Sequence, residues 1–368
     1  MFVAWRDLRF AKGRFALMGA VIVLITLLVG LLSGLTAGLG RQNVSAITSL
    51  PADRIAFQAP ADGRELSYSD STVTRQQWRR WAGAPGVESA EPLGITITRA
   101  VAGGRSSPVS VFGVLPDSRL APDGGRIDDA SVVLSTAAAD SLGVRVGGSL
   151  TLAGQRLRVA SVRGDVYFSH APVVWASLDA WRKTAPPAGG GDGGGDGAGP
   201  TATVIALDTD SGADVAATDR QAGTRTVSLD GSLSAIGSYA SENGSLQLMR
   251  GFLFAISALV IGAFFTVWTI QRSGDIAVLK ALGASTAGLL RDALGQAVVL
   301  LVGGTAAGTG LAVALGTLVT GSGVPFVLTP ATVLLPAAVM IGLGALGAAL
   351  SVRRITSVDP LTALGSTR

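Results

Sequence analysis

The chain has 368 residues, 48% of them hydrophobic and only 15% charged, with 50 glycines and a mean hydropathy of +0.48, which are values of a membrane protein and not of two soluble domains. A pI near 9.9 does not mark a nucleic-acid binder, because the basic excess sits on the short flanks of apolar runs while residues 42–248 carry 17 basic against 21 acidic side chains. With no cysteine and one histidine, disulfides and thiolate metal sites are excluded, and neither a His-rich metal cage nor a Ser-His-Asp set is readily assembled.

Residues 1–14 combine Trp5 and Leu8 with Arg6, Arg9, Lys12 and Arg14, the composition of a cytoplasmic interfacial helix. No charged residue occurs at 15–40, at 251–271 or at 293–352. About 20 helical residues cross a hydrocarbon core of roughly 30 Å, so the first two runs are single spans. The third is too long for one span and is broken by Gly321-Ser-Gly323-Val-Pro325 and Pro330, which makes it a helical hairpin. Spans are therefore expected at 15–40, 250–271, 292–320 and 331–352. The first run exceeds the 7–15-residue core of a secretory signal, so it is expected to stay in the membrane. The flanks hold Arg6, Arg9, Lys12, Arg14, Arg272, Lys280, Arg291, Arg353, Arg354 and Arg368 against Asp7, Asp275, Asp292 and Asp359. By the positive-inside rule both termini, the 272–291 segment and the 353–368 tail are cytoplasmic, and 41–249 lies outside.

Within the first span, Gly30-x-x-x-Gly34-x-x-x-Gly38 stacks three glycines on one face, where another helix or a flat ligand could approach the backbone. From residue 52 onward the pattern changes to short alternating runs with turns. Strands are expected at 94–101, 109–114, 131–135, 144–148, 150–152, 155–162, 172–175 and 203–208. A short helix is expected at 136–143, stopped by Gly143, and a second at 232–248 leading into span two. The fold class is thus an α-helical membrane protein with four transmembrane helices and an extracellular α+β domain inserted between helices 1 and 2. Residues 185–200 contain a Gly-Asp tract; as one isolated copy it lacks the neighbouring turns of a calcium-binding repeat and reads as a flexible loop. His170, in Tyr167-Phe-Ser-His-Ala-Pro172, reads as a hydrogen-bonded surface histidine.

Between spans two and three, Arg272-Ser-Gly-Asp275-Ile-Ala-Val-Leu279-Lys280-Ala-Leu282-Gly283-Ala-Ser285 places Ile276, Leu279 and Leu282 at helical spacing with charges on the other side. Gly283 is placed to end this helix in the left-handed region. The segment resembles the signature of FtsX-like (MacB-type) ABC transporter permeases. The run from Val132 to Gly164 resembles the family's outer core domain, and Asp359-Pro-Leu-Thr-Ala-Leu364 resembles its closing motif. Asp275 stands where the family carries glutamate, as does Gln296, and the final Arg-x-Glu is missing. The resemblance implies that Arg272, Asp275, Ile276, Leu279, Lys280, Leu282 and Gly283 form a coupling helix against a separate ABC ATPase subunit, and that two copies pair as a homodimer in lipid. None of Lys12, Lys183 and Lys280 stands in a Gly-Lys-Ser/Thr phosphate loop, so nucleotide sites are left to that partner and the chain itself is expected to be non-catalytic.

The opening 18 residues and the single moderate-sized outer domain resemble the haem-exporting branch of the family. Haem as transported substrate would need a soft or N/O axial atom and cations for its propionates. Met249 and Arg250 supply these, with Tyr239 and Glu242 above them and Gly30, Gly34 and Gly38 beside them. The plainer alternative is core packing for Met249 and interface anchoring for Arg250. At the level of function, the alternative is an FtsX-like mechanical transmitter that regulates an extracellular cell-wall hydrolase.

Overall fold

A computed structural model describes residues 12–61, 63–184, 200–271, 285–319 and 323–356, with Gly274, Val278 and Gly283 as isolated positions. Most of the expected interfacial helix, nearly all of the Gly-Asp loop and the tail from 357 lie outside the described residues. The chain divides into two compact units, Met1–Gly38 with Ser245–Arg368, and Leu39–Gly244.

In chain order, the first elements are α1 (Lys12–Thr48), β1 (Arg54–Gln58), β2 (Val73–Thr74), α2 (Arg75–Ala82), β3 (Val87–Ala102), β4 (Arg105–Val114) and β5 (Ser131–Leu134). Then come α3 (Thr136–Leu142), β6 (Ser149–Leu152), β7 (Gln155–Val162), β8 (Tyr167–Phe168), β9 (Ala171–Ser177) and α4 (Leu178–Thr184). The chain continues with β10 (Pro200–Ala202), β11 (Val204–Thr209), α5 (Val215–Ala222), β12 (Thr224–Ser228), α6 (Gly237–Gln271), α7 (Thr286–Val319) and α8 (Pro330–Thr356).

Among the described residues, four helices are long and apolar enough to cross a membrane: Ala16–Thr48, Gly237–Gln271, Leu294–Val319 and Pro330–Leu350. Hydrocarbon cannot hydrogen-bond a bare backbone, so each span is a continuous helix whose donors are satisfied internally. The helices pack through small residues. A Cβ at Gly304 would press on Ile22, one at Gly308 on Thr26 and the backbone of α1, and one at Gly344 on Leu301. Around these contacts Ile22, Val29, Ile261, Phe265, Leu301, Met340 and Ala348 are buried, as expected where close backbone approach replaces a hydrophobic driving force.

In the outer unit, β3, β4, β9, β5, β7 and β6 follow one another, and β6 pairs back onto β3 through Ala100–Leu152 and Val101–Thr151. The six strands thereby close on themselves, and β11, β1 and β12 extend from β3 on its other side. The β4–β9 and β5–β7 pairs are parallel and the rest antiparallel. One core lies against α2, α3 and α4, built on Trp81, Leu142, Leu150, Leu152, Leu157 and Trp181. The other holds an edge-to-face aromatic chain, Phe57–Tyr68–Phe168–Phe112, with centroids 4.8, 5.5 and 5.8 Å apart. Burial pushes the Tyr68 phenol far above its usual range, and its hydroxyl is satisfied by Ser232 Oγ at 2.9 Å.

Two expected elements differ. Residues 144–148 form a turn and not a strand, because Gly147 takes φ 87° and the Gly148 N–H bonds back to the Arg145 carbonyl. The helix expected from 232 starts at Gly237; before it Gly231–Ala235 is 3₁₀ and Ile236 is extended and buried. At Gly143 the expected stop is present, with φ 64°.

Gly94 and Gly113 face each other in register across β3 and β4, and a Cβ on either would overlap the Trp181 ring system, whose Nε1–H reaches Thr96 Oγ1 at 2.9 Å. Gly94→Ala and Gly113→Ala are each expected to destabilise the outer unit by about 1–3 kcal/mol through overpacking. The check is thermal unfolding followed by near-ultraviolet circular dichroism.

Candidate functional site

Within the membrane unit, Arg250 is the lone charged residue of 245–271. It is partly buried, and its guanidinium donates to Thr36 Oγ1 of α1 at 2.6 Å. Thr36 is itself buried and donates to the Ser33 carbonyl at 3.1 Å. A cation on an apolar helix persists where its head is hydrogen-bonded and its stem covers apolar surface. Met249, one residue earlier, is 49% exposed.

The glycine stripe is taken. A Cβ at Gly30 would sit 2.8 Å from that of Ala312, one at Gly34 would overlap the Phe326 ring, and one at Gly38 would overlap the Pro325 carbonyl. The Val327 N–H donates to the Gly34 carbonyl at 3.1 Å, so the segment between α7 and α8 is seated on α1. The face expected to admit a second helix or a flat ligand is thus filled from within the chain. Beside it lies a cavity of about 10 Å³, lined in part by Thr26, Thr309 and Thr332. It has room for about one water and not for a macrocycle.

In the outer unit, Tyr239 packs on the aromatic core and Glu242 is bound up in a polar cluster. His170 Nε2 lies 3.1 and 3.0 Å from the two Glu242 carboxylate oxygens and 3.1 Å from Asn43 Nδ2. Asn43 Nδ2 also donates to Glu242 Oε2 at 3.0 Å, Asn43 Oδ1 accepts from the Ser238 hydroxyl, and Ser169 Oγ is 2.8 Å from Ser238 Oγ. Asn43, Ser169 and Ser238 were not singled out in the sequence. The one local signal was Ser-His in a two-residue turn between short strands; Asn43 follows Arg41 and Gln42 at the polar end of α1 and does not stand out.

Of the coupling residues, Arg272, Asp275, Ile276, Leu279, Lys280 and Leu282 lie outside the described residues. Gly283 is described and has φ 91°, a backbone conformation that favours glycine.

Four helices long and apolar enough to cross a membrane, with a large α+β insertion after the first, define a multi-span membrane protein with a folded domain between its first two spans. Residues 15–225 match the family described as the MacB-like periplasmic core domain, and 248–360 match the FtsX-like permease C-terminal family. The first match covers more than half of the chain, which belongs to the ABC transporter permeases of the MacB/FtsX type. Membership implies an ATPase subunit as partner. Similar proteins include one named as hemin transport system permease HrtB of Staphylococcus haemolyticus (strain JCSC1435), 24% identical over 370 residues, 99% of either chain. An uncharacterised ABC transporter permease of Mycobacterium tuberculosis (strain ATCC 25618 / H37Rv) is 25% identical over 379 residues, again 99% of either chain. The solved periplasmic region of MacB from Actinobacillus actinomycetemcomitans aligns with a TM-score of 0.34 and 11% identity over 51% of this chain and 94% of its own, and carries no part of the assignment.

If Gly38 is a seat for the Pro325 carbonyl, Gly38→Ala should destabilise the membrane unit by about 1–3 kcal/mol through overpacking. A Cβ at Gly40, two residues on in the same helix, meets nothing within 4 Å, and Gly40→Ala should stabilise by up to about 1 kcal/mol through helix propensity. Thermal unfolding of the two variants in nanodiscs separates the effects.

Proposed function

We propose that this chain is the permease subunit of an efflux transporter which, driven by a separate ATPase subunit, expels an amphipathic molecule from the outer leaflet, and that the molecule is haem. Two copies pair; residues 272–283 contact the ATPases from the cytoplasmic side, where both termini lie; and nucleotide-driven closure is passed along the spans. The single observation that carries the substrate reading is the Met249–Arg250 pair on α6. An exposed thioether stands next to a guanidinium whose partner on the apolar helices is a neutral hydroxyl. A thioether is a soft axial ligand for haem iron and a guanidinium suits a propionate. The staphylococcal relatives named for hemin transport align over the whole chain, which supports the same substrate. Glu242 is engaged by His170 and Asn43, and the glycine stripe by Ala312, Phe326 and Pro325, so neither is needed for this reading.

Haemin titrated into the chain with its ATPase in lipid should give a saturable Soret shift with a changed ATPase rate. Met249→Ala should move the Soret maximum, and Arg250→Ala should weaken binding by roughly ten- to a hundredfold, the worth of a charge-assisted hydrogen bond. Absence of both Soret shift and ATPase response in the parent protein overturns haem as substrate.

A further inference from the structure

We infer that the second half of β3, with β6 and β7, presents a basic docking face on the outer unit, and that its occupant is an acidic polypeptide segment carrying apolar side chains. The charges are sorted along the chain before they are sorted in space. Residues 92–116 and 141–164 hold Arg99, Arg105, Arg145, Arg156, Arg158 and Arg163 and no acid, while the rest of 42–248 is left with 11 basic against 21 acidic side chains. The first stretch makes the second half of β3 and all of β4, and the second includes β6 and β7. Closure of the strand ring lays them side by side.

Register decides which of these arginines share a face. Residues opposite one another in an antiparallel pair point the same way, as do alternate residues of one strand. Val101 is opposite Thr151, Thr151 opposite Arg156, and Ser149 opposite Arg158. Arg99, Val101, Thr151, Arg156 and Arg158 therefore lie on one face, whose reverse carries the buried Ala100, Leu150, Leu152 and Leu157. Arg105 belongs to that reverse side, where its guanidinium lies against Gly143 at the end of α3, and Arg163 is taken by Asp123 at 2.9 Å. Arg99, Arg156 and Arg158 stay on the face and run diagonally over three strands, roughly 17 Å from first to last at the backbone.

Two of the three are already held in place. Arg99 Nη1 donates to Ser106 Oγ at 3.3 Å and Arg156 Nε to Ser149 Oγ at 3.2 Å, each a hydroxyl on the neighbouring strand. All three are exposed, and among the described residues none of them is ion-paired. Asp128 borders the face through Ser131, which is opposite Arg158, but its carboxylate is occupied by the Ala130 N–H and the Ser131 hydroxyl. A guanidinium keeps its charge at any physiological pH, and its fork fits a carboxylate.

Two observations select the occupant. Ile97 and Val101 flank Arg99 on the same face of β3 and are 50% and 43% exposed. A bare phosphate polymer gains nothing from them, whereas acidic and apolar side chains along a polypeptide match both. The ring also leaves no free edge between β3 and β6, so the partner cannot join as another strand and binds by its side chains across the face. This face is independent of the molecule handled by the membrane unit.

The test is fluorescence anisotropy on the full chain in nanodiscs of neutral lipid, with a labelled peptide of about twelve residues, long enough to cross the face when extended, in which glutamates are interspersed with leucines. At about 0.15 M salt the peptide should bind saturably. Arg99→Gln combined with Arg156→Gln should weaken it roughly five- to tenfold, as loss of two exposed ion pairs would. Val101→Ser, or serine in place of the peptide's leucines, should weaken it about threefold. Arg99→Glu combined with Arg156→Glu should instead take up the peptide with lysine in place of glutamate. The substituted residues are exposed, so thermal unfolding should be unchanged, and Arg75→Gln on α2, exposed outside this face, should leave the affinity as it was. Absence of saturable binding to the parent chain, or a loss in the double glutamine variant no greater than in Arg75→Gln, overturns the docking face. Short-chain polyphosphate bound more tightly than the peptide, with no dependence on Val101, overturns the polypeptide as occupant and gives the face to a phosphate polymer.

Discussion

Hydrocarbon offers no hydrogen bonds to a polypeptide, and the architecture follows from that constraint. It forces each crossing to be an unbroken helix and confines the sheet to a unit of its own, inserted where the chain is outside the apolar runs. It also removes the hydrophobic contribution from helix association, which is why close approach at Gly304, Gly308 and Gly344 accompanies the buried side chains between the spans. The outer unit, with no disulfide, solves the opposite problem. It is bathed in water and relies on two apolar cores and on a strand ring that leaves β6 no free edge toward β3.

What the sequence made legible was governed by charge and period. The spans were readable because residues such as Arg41 and Arg272 mark where apolar runs end, and most strands because Ile95, Ile97 and Val109, Val111 alternate as a pleated backbone demands. The stop at Gly143 was readable because only a residue without Cβ takes its φ cheaply. The 144–148 segment misled because Val144 and Val146 alternate without being a strand; two adjacent glycines turned the chain first. Helix α1 outruns its apolar stretch as far as Thr48, since a helix once started accepts Arg41, Gln42 and Asn43 at little cost where water is available.

The site was legible in parts. Met249 and Arg250 stand out by residue type alone on an apolar helix. What fills the glycine stripe could not be read, because Gly34 and Phe326 are far apart in sequence and a stripe of glycines says only that something comes close. The polar cluster was hidden for the same reason: Asn43, His170 and Glu242 are brought together from three separated elements. Local pattern carries no information about such long-range pairings.

Phe326 shows what this arrangement means for descent. Its ring lies where a Cβ on Gly34 of α1 or on Gly316 of α7 would have to go, while its own backbone neighbour bonds to the Gly34 carbonyl. A smaller residue at 326 leaves a hole against two bare helix faces, and a larger one at 34 or 316 evicts the ring. The three positions can therefore drift only together, as one inherited unit, and lineages that lose the aromatic should be found to have refilled both glycines.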